Sequence, residues 1–154
     1  MNTGMEFRKV LALRGPNIWA NFPVLEAWVD PGQSKHQHTS DIAGFRQRLL
    51  ALLPKLADAK SSDQQATFLE RLETGVSLPC ALEQVLLHLQ CQAGSAVGFG
   101  RTVETNEPGV YKVAVEYLDE QVGRAALNEA KELILAALHN LPYDADARSQ
   151  NYAT

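Results

Sequence analysis

The sequence predicts an α+β fold: a single domain with an antiparallel sheet and helices packed on one face. Three observations lead to this prediction. The 154 residues are enough for one domain with its own core. The strand-like segments alternate polar and apolar residues, whereas the helical ones repeat every three to four residues. Strands and helices also occur in runs, which is not the strict alternation of a parallel βαβ array.

Two strands are predicted near the N-terminus, over residues 6–13 and 22–30. In the second strand, even and odd positions alternate between two faces, as in a strand with one side in the core. One face carries Val24, Glu26 and Trp28, and the other carries Leu25, Ala27 and Val29. The segment 14–17 (RGPN) between them predicts a turn, because glycine and proline favour turn dihedrals and asparagine bonds to nearby backbone.

The middle of the chain changes from loop to helix. Residues 31–40 are polar and predict an exposed loop. Apolar residues then follow helical spacing, with Ser40 or Asp41 as the N-cap and Pro54 as the stop. A short helix ending near Gly75 is expected next.

A longer helix is predicted from about residue 78 to 93, with Ser77 as its N-cap and Gly94 at its end. One side of this helix is apolar. The opposite side carries a polar stripe of Cys80, Gln84, His88 and Cys91. On a straight helix, Cys80 and His88 are about 12 Å apart, too far to share one metal ion. We therefore expect the stripe to be a packed or groove-lining surface.

The C-terminal part completes the fold. A short strand is predicted near 97–103 and an alternating strand over 110–118. A helix over 119–139 follows, capped by its first residue, an aspartate. We therefore place the domain at residues 1–141 and a flexible tail or linker at 142–154.

Composition narrows the classes of function. The chain has 14 Lys+Arg and 18 Asp+Glu, a formal net charge of −4. It lacks the broad basic field that drives nucleic-acid binding. No apolar run is long enough for a membrane span and no signal-peptide pattern is present, which favours a cytoplasmic protein. Cys80 and Cys91 would be about 16 Å apart on one helix, too far for a disulfide, which suits a reducing compartment.

Three other features could carry chemistry. The stretch 98–102 (GFGRT) could hold an anion on its backbone N–H groups. It lacks the complete nucleotide-binding motifs, so a tight turn is the preferred interpretation. His36 and His38 are a conceivable metal pair, but without a third ligand a solvated loop is favoured. Trp19 and Trp28 are expected to be core or edge aromatics rather than stacking platforms.

Five blocks of residues suggest a family. They are LRGPNIW at 13–19, LEAWVD at 25–30, FLER at 68–71, AVGFGRT at 96–102 and EPGVY at 107–111. Together, and in this order, they resemble the N-terminal domain of cyanophycin synthetases. The resemblance is collinear from about Phe7 to His139.

The resemblance implies a role in polymer synthesis. Cyanophycin synthetases use ATP to build a storage polymer with a poly-aspartate backbone and an arginine on each side chain. The ligations belong to an ATP-grasp domain and a Mur-ligase-like domain that follow the N-terminal one. ATP and magnesium would therefore be bound outside this chain, and no cofactor or metal is expected within it. The chain would be either an excised domain or a shortened relative.

The same resemblance implies partners. The N-terminal domain is expected to bind the polymer, to act beside the two ligase domains of the same enzyme, and to join a homo-oligomer through the full-length protein. No nucleic-acid or membrane partner is expected. The near-balanced charge suits a zwitterionic polymer. The candidate polymer contacts, each beside a turn, are Arg14, Asn17, Arg101 and Glu104.

Many members of the family also resemble metallopeptidases, with a His-x-x-Glu-His helix that holds zinc and activates water. The matching stretch here is 80–84 (CALEQ), in which only Glu83 is retained, with Cys80 and Gln84 in place of the histidines. We therefore expect a degenerate site without zinc or catalysis. The alternative is an altered metal or thiol hydrolase that trims the polymer into primers, and a third possibility is an assembly element that orients the ligase domains.

Overall fold

The computed structural model describes residues 5–32, 38–58, 72 and 75–139. Within these residues the chain forms four strands and three α-helices, which confirms the α+β prediction. In chain order they are β1 (Glu6–Leu13), β2 (Val24–Asp30), α1 (Phe45–Leu52), α2 (Leu78–Gln92), β3 (Gly100–Glu104), β4 (Tyr111–Glu116) and α3 (Glu120–His139). Two 3-10 segments, Thr39–Asp41 and Pro54–Asp58, flank α1.

The four strands form one antiparallel sheet in the order β1-β2-β4-β3. Its two faces differ because successive side chains point to opposite sides. The odd-numbered residues of β2 and the valines at odd positions of β4 are buried against the helices. They include Leu25, Ala27, Val29, Val113 and Val115.

The helices form a layer on this one face, also as predicted. α2 packs on β3 and β4, and α3 packs on α2 and α1. Arg48 of α1 donates from Nε to the Ala137 carbonyl of α3 at 2.5 Å. A Cβ atom at Gly123 would lie 3.0 Å from Leu25 Cδ1, so glycine lets α3 approach the sheet. The large residues with no exposed surface in this layer include Phe45, Leu49, Leu82 and Leu133.

Two of the predicted helix caps, Ser77 and Asp119, are present. Ser77 Oγ accepts a hydrogen bond from the Cys80 N–H at 3.2 Å, at the start of α2. Asp119 Oδ1 accepts from the Val122 N–H at 3.1 Å, at the start of α3. Each side chain satisfies a backbone N–H that has no partner within the helix.

The helix predicted from Asp41 starts later, and the earlier boundary is wrong. Asp41 instead closes the single 3-10 turn Thr39–Asp41, where its Oδ2 accepts from the His38 N–H at 3.0 Å. α1 begins only after Gly44, which has φ +77°. A residue in this left-handed conformation cannot continue a right-handed helix.

Other boundaries move by a few residues. The strand predicted near 97–103 is β3, which begins at Gly100. Cys80 and Cys91 are not joined by a disulfide, as expected. No helix in the described ranges is long and apolar enough to cross a membrane. Two predictions lie outside the described residues. One is the tail over 142–154. The other is the short helix before Gly75, of which only Leu72 is described.

Candidate functional site

The sheet face opposite the helices carries charged and aromatic side chains. Cross-strand pairing aligns Lys9 of β1, Trp28 of β2 and Lys112 of β4 in one row, with Val103 of β3 at its end. No described helix packs on this side of the sheet. We call this surface the open face. Its side chains come from all four strands, so it exists only in the folded chain.

The loop between β1 and β2 borders the open face and is organised by Asn17. The side chain Nδ2 of Asn17 donates to the carbonyls of Gly15 at 2.9 Å and Phe22 at 3.0 Å. Its Oδ1 accepts from the backbone N–H groups of Trp19 at 2.8 Å and Ala20 at 3.1 Å. Asn17 therefore fixes the loop, and the loop presents Trp19.

Trp19 and Trp28 form an aromatic and cationic cluster on the open face. The Lys112 ammonium lies 5.6 Å from the Trp19 ring centroid and 5.1 Å from that of Trp28. The Lys9 ammonium lies 4.9 Å from the Trp28 centroid. Both tryptophans are half-buried and neither is in the core. They are therefore not core aromatics: Trp28 is on the helix-free face of a central strand, and Trp19 is in the adjoining loop.

Glu26 supplies a negative charge beneath this cluster. Only 5% of Glu26 is exposed. Its Oε2 accepts a hydrogen bond of 2.6 Å from Trp19 Nε1 and lies 3.8 Å from Lys112 Nζ. A buried carboxylate is stable only with such partners. Glu26 therefore holds Trp19 and Lys112 in place.

A β-bulge marks one end of the open face. The pairing of β1 with β2 shifts between Phe7 and Lys9, so Arg8 is the extra residue. Its guanidinium bonds to Asp30 at 2.7 Å and to Glu107, in the β3–β4 turn, at 2.7 Å. These carboxylates raise the pKa of Arg8. The bulge thus joins β1 to the hairpin turn on the far side of the sheet.

The side chain of Arg14, the first predicted polymer contact, reaches from the end of β1 to the start of α3. Its Nη2 is 2.9 Å from Glu120 Oε1. The other oxygen of Glu120 accepts from Arg124 Nε at 2.9 Å. The hydrogen bonds from Arg124 and then Arg14 lower the pKa of Glu120. Arg14 thus ties the β1–β2 loop to α3.

The other predicted contacts are separated. Asn17 uses its side-chain atoms within its own loop. Arg101 is exposed on the open face, where it is paired in register with Ala114. Among the described residues its guanidinium has no ion-pair partner. Glu104 accepts from the Gly109 N–H at 2.9 Å and closes the β3–β4 turn. Of the four candidates, only Arg101 lies in the strand layer of the open face.

The glycine-rich stretch before β3 does hold an anion, but the anion is the chain's own Glu116. The Gly98 and Phe99 N–H groups both donate to Glu116 Oε1, at 2.9 and 3.2 Å. The Phe99 ring packs edge-on against Phe22 at 5.5 Å. This stretch is therefore a turn that Glu116 stabilises, in agreement with the tight turn preferred from the sequence.

The stretch that resembles a degenerate metallopeptidase site lies in the first turns of α2. Glu83 is 2% exposed. Its Oε1 accepts from Thr102 Oγ1 at 2.8 Å, and its Oε2 accepts from Gln84 Nε2 at 2.9 Å. The carboxylate lies directly beneath Gly100 of β3. Cys80 is half-buried on the same helix. Both oxygens of Glu83 therefore accept hydrogen bonds, and the bond from Thr102 links β3 to α2.

The histidines do not assemble a metal centre in the described part of the chain. His88 is half-buried, its Nε2 has no hydrogen-bond partner, and burial together with the Lys55 charge lowers its pKa. His38 Nδ1 lies 3.9 Å from Asp41 Oδ2, while His36 is outside the described residues. Within the described ranges, no three His, Cys, Asp or Glu side chains are grouped as metal ligands.

Fold and site together define a small α+β domain with one helix-covered sheet face and one face bearing tryptophans and charges. The model of the family described as "Cyanophycin synthase-like N-terminal domain" matches residues 26–139. The chain belongs to this family, as the resemblance of its sequence blocks implies.

Similar full-length proteins support the assignment. The chain is 35% identical over 150 residues to a cyanophycin synthetase of Geminocystis herdmanii, a match that covers 96% of this chain and 17% of that protein. It is 37% and 38% identical over 132 residues to cyanophycin synthetases of a Synechocystis species and of Crocosphaera subtropica, which covers 84% of this chain and 15% of each relative. The chain thus spans about one sixth of the length of these relatives.

Sequence reasoning missed the open-face cluster. The alternation in β2 does place Glu26 and Trp28 together, and that in β4 places Lys112 with Glu116. The pairing register that brings Lys9 beside Trp28 follows from the bulge at Arg8. The candidate polymer contacts were chosen because they lie beside turns, so side chains in the middle of strands were not among them.

Proposed function

We propose that this chain is a polymer-binding domain of the cyanophycin synthetase type, which holds the growing Asp/Arg polymer or its primer and is not itself a ligase. The observation that carries the proposal is the match of residues 26–139 to the N-terminal domain of such enzymes. The open face supports it, since a zwitterionic polymer requires a surface with charges of both signs. Lys9, Lys112 and Arg101 supply positive charge there, and Glu26 and Glu116 supply negative charge.

The ligation chemistry would belong to other domains of the enzyme. An ATP-grasp domain and a Mur-ligase-like domain would carry out the two ligations with ATP and magnesium. This chain would work beside them in a cytoplasmic homo-oligomer. It would need no cofactor of its own, because its task is to keep the polymer end within reach of both ligase sites.

A binding titration tests this function. Soluble oligomers of aspartate with arginine side arms are titrated into the 154-residue chain by calorimetry, at low and at moderate salt. We expect saturable binding that weakens with salt, since exposed charges are screened. An oligomer of aspartate without arginine is the matched ligand control and is expected to bind more weakly. No saturable binding at low salt would contradict the proposal.

We also propose that the Glu83 region has no hydrolase activity. A general base must reach the water it activates, whereas the Glu83 carboxylate is buried and bonded to Thr102 and Gln84. Polymer incubated with the chain should keep its length on a denaturing gel, with or without added zinc. Shortening by the wild-type chain that is lost in Cys80→Ala would instead establish the altered-hydrolase alternative.

A further inference from the structure

The charged side chains of the open face are not scattered: two lysines are arranged around the ring of Trp28, and we call this group the aromatic centre. Trp28 lies between Lys9 and Lys112 in the cross-strand row, and both ammonium groups are about 5 Å from its ring centroid. The ring faces attract cations because of their negative π electron density. Trp28 is therefore a cation-binding surface that the chain's own lysines occupy in the free protein.

Hydrogen bonds to Glu26 and Asn17 fix the position of Trp19 beside this centre. The 2.6 Å bond from Trp19 Nε1 to Glu26 sets the indole of Trp19 over the row, and Asn17 sets its backbone. Lys112 is held between both rings and near Glu26. A ligand meeting this surface needs little reordering of side chains, which favours affinity.

Positive charge surrounds the centre. Lys9 is exposed, and its ammonium group lies over the Trp28 ring. Arg101 is exposed one cross-strand row away, in register with Ala114, which itself pairs with Glu26. Lys9 and Arg101 thus supply cations that the carboxylates of a ligand can pair with, beside the negative charges of Glu26 and Glu116.

A ligand with both a guanidinium and a carboxylate fits these groups best. A planar guanidinium stacks on an indole better than an ammonium does, because it is flat and more weakly hydrated. It can therefore displace a lysine from Trp28, and the released lysine is then available to a carboxylate. An arginine residue joined through its amine carries both groups, a few bonds apart.

We propose that the open face is the subsite for the arginine side arms of the polymer. The arm guanidinium stacks on Trp28 in place of the Lys9 ammonium, and the arm carboxylate pairs with Lys9. Arg101, on the opposite edge strand, pairs with the carboxylate of a neighbouring arm. This assignment rests on the proposed polymer-binding function and adds the place and the contacts. Glu26 keeps Trp19 and Lys112 in position and also adds a negative charge that a guanidinium favours.

Single-stranded nucleic acid is the competing ligand, since bases also stack on aromatics lined by cations. The face disfavours it because Glu26 lies under the rings, Glu116 lies two residues beyond Ala114 in the sequence, and Asp30 lies at the bulge. Phosphates would meet these carboxylates with like charge. A carboxylate-bearing arginine arm brings a cation as well as an anion.

The tryptophans give a direct readout. The chain contains two, Trp19 and Trp28, and both lie on the open face. Titration with a synthetic Asp/Arg oligomer is followed by tryptophan emission and by acrylamide quenching, with calorimetry on the same samples. We expect a saturable change in emission, lower access of acrylamide to tryptophan, and a midpoint equal to the calorimetric one.

Substitutions locate the contacts. The double variant Lys9→Ala/Arg101→Ala removes two exposed charges and is expected to bind about tenfold more weakly, with a smaller salt dependence. Trp28→Leu is expected to weaken binding by about threefold to tenfold. Lys55→Ala is the matched control, because it removes an exposed cation from the helix layer, near His88. It should change affinity less than twofold. Circular dichroism confirms that each variant is folded.

The outcomes separate the two proposals. Without calorimetric binding by the wild-type chain, the polymer-binding function fails, and the subsite fails with it. Binding by calorimetry with unchanged tryptophan emission, or equal affinity for Lys9→Ala/Arg101→Ala and Lys55→Ala, overturns the subsite alone. Tighter binding of a 12-residue oligothymidylate than of the Asp/Arg oligomer also overturns it, in favour of nucleic acid.

Discussion

Substituting Gly100 by alanine would test the contact that holds β3 on α2. A Cβ atom at this position would lie 2.8 Å from Glu83 Oε2, 2.9 Å from its Cγ and 3.0 Å from its Cδ. These separations are at or below the limit for real Cβ contacts. Glu83 cannot simply turn away, because it is buried and its carboxylate accepts hydrogen bonds from Thr102 and Gln84. Relief requires breaking these bonds or shifting the strand.

The expected cost follows from two opposing effects. Overpacking of a well-packed interior costs about 1–3 kcal/mol. Alanine also lowers the conformational entropy of the unfolded chain relative to glycine, which stabilises the folded state by about 0.4–1 kcal/mol. We therefore expect Gly100→Ala to lower the free energy of unfolding by about 1–2 kcal/mol. Since 1 kcal/mol shifts the Tm of a domain of this size by about 2–4 °C, the Tm should fall by about 2–8 °C.

Urea unfolding followed by tryptophan fluorescence measures this loss, and Gly98→Ala is the matched control. A Cβ at Gly98 would meet no atom within 4 Å, and the Gly98 φ is not positive, so this variant should be as stable as the wild type or slightly more stable. In a Glu83→Ala background the clash is gone, and Gly100→Ala should then cost less than about 0.5 kcal/mol. Wild-type stability of Gly100→Ala, or the same loss in both backgrounds, would refute the reasoning.

Three further predictions concern the loop and the titrating groups. Asn17→Ala should destabilise the chain by about 1–2 kcal/mol, because the side chain's hydrogen bonds to part-buried backbone groups of the loop are lost. It should also increase acrylamide quenching of Trp19; unchanged quenching would contradict this. The pKa of Glu120 is lowered in the folded state from its ordinary 4.5 by Arg124 and Arg14. The stabilisation by Glu120 should therefore be present above pH 4.5 and disappear as the pH falls through the folded-state pKa. The free energies of unfolding of the wild type and Glu120→Gln, measured by urea titration, should converge in acid. A constant difference between them would exclude this linkage. The pKa of His88 is lowered from 6.5 by burial and Lys55, so wild-type stability should decline as the pH falls below 6.5, and His88→Leu should flatten that decline between pH 7.5 and 5.

Several elements were predictable because their signals are local. β1 occupies the predicted residues, and α2 and the end of α3 lie within a residue of the predicted bounds. Ser77 and Asp119 act as helix caps because a short side chain bonds to an N–H only three residues on. The alternation in β2 needs no partner strand to be visible, so its two faces were also predictable.

Positions that depend on long-range contacts were not predictable. Asp41 looks like the cap of a long helix, but Gly44 takes a left-handed φ and delays α1. The N–H groups of Gly98 and Phe99 could bind an external anion, but in the fold they already donate to Glu116 of β4. Arg14 borders an exposed turn, yet it pairs with Glu120, 106 residues away.

By itself, the sequence determined the class of fold, the caps, the absence of a broad basic field and the family, because these are properties of residue spacing and composition. Only the tertiary structure decided that Lys9, Trp28 and Lys112 form one row and that Trp19 covers Glu26. It also decided that Glu83 faces Thr102 beneath Gly100. The physical reason is that strand register, the bulge at Arg8 and the packing of α2 on β3 are set by contacts between distant segments.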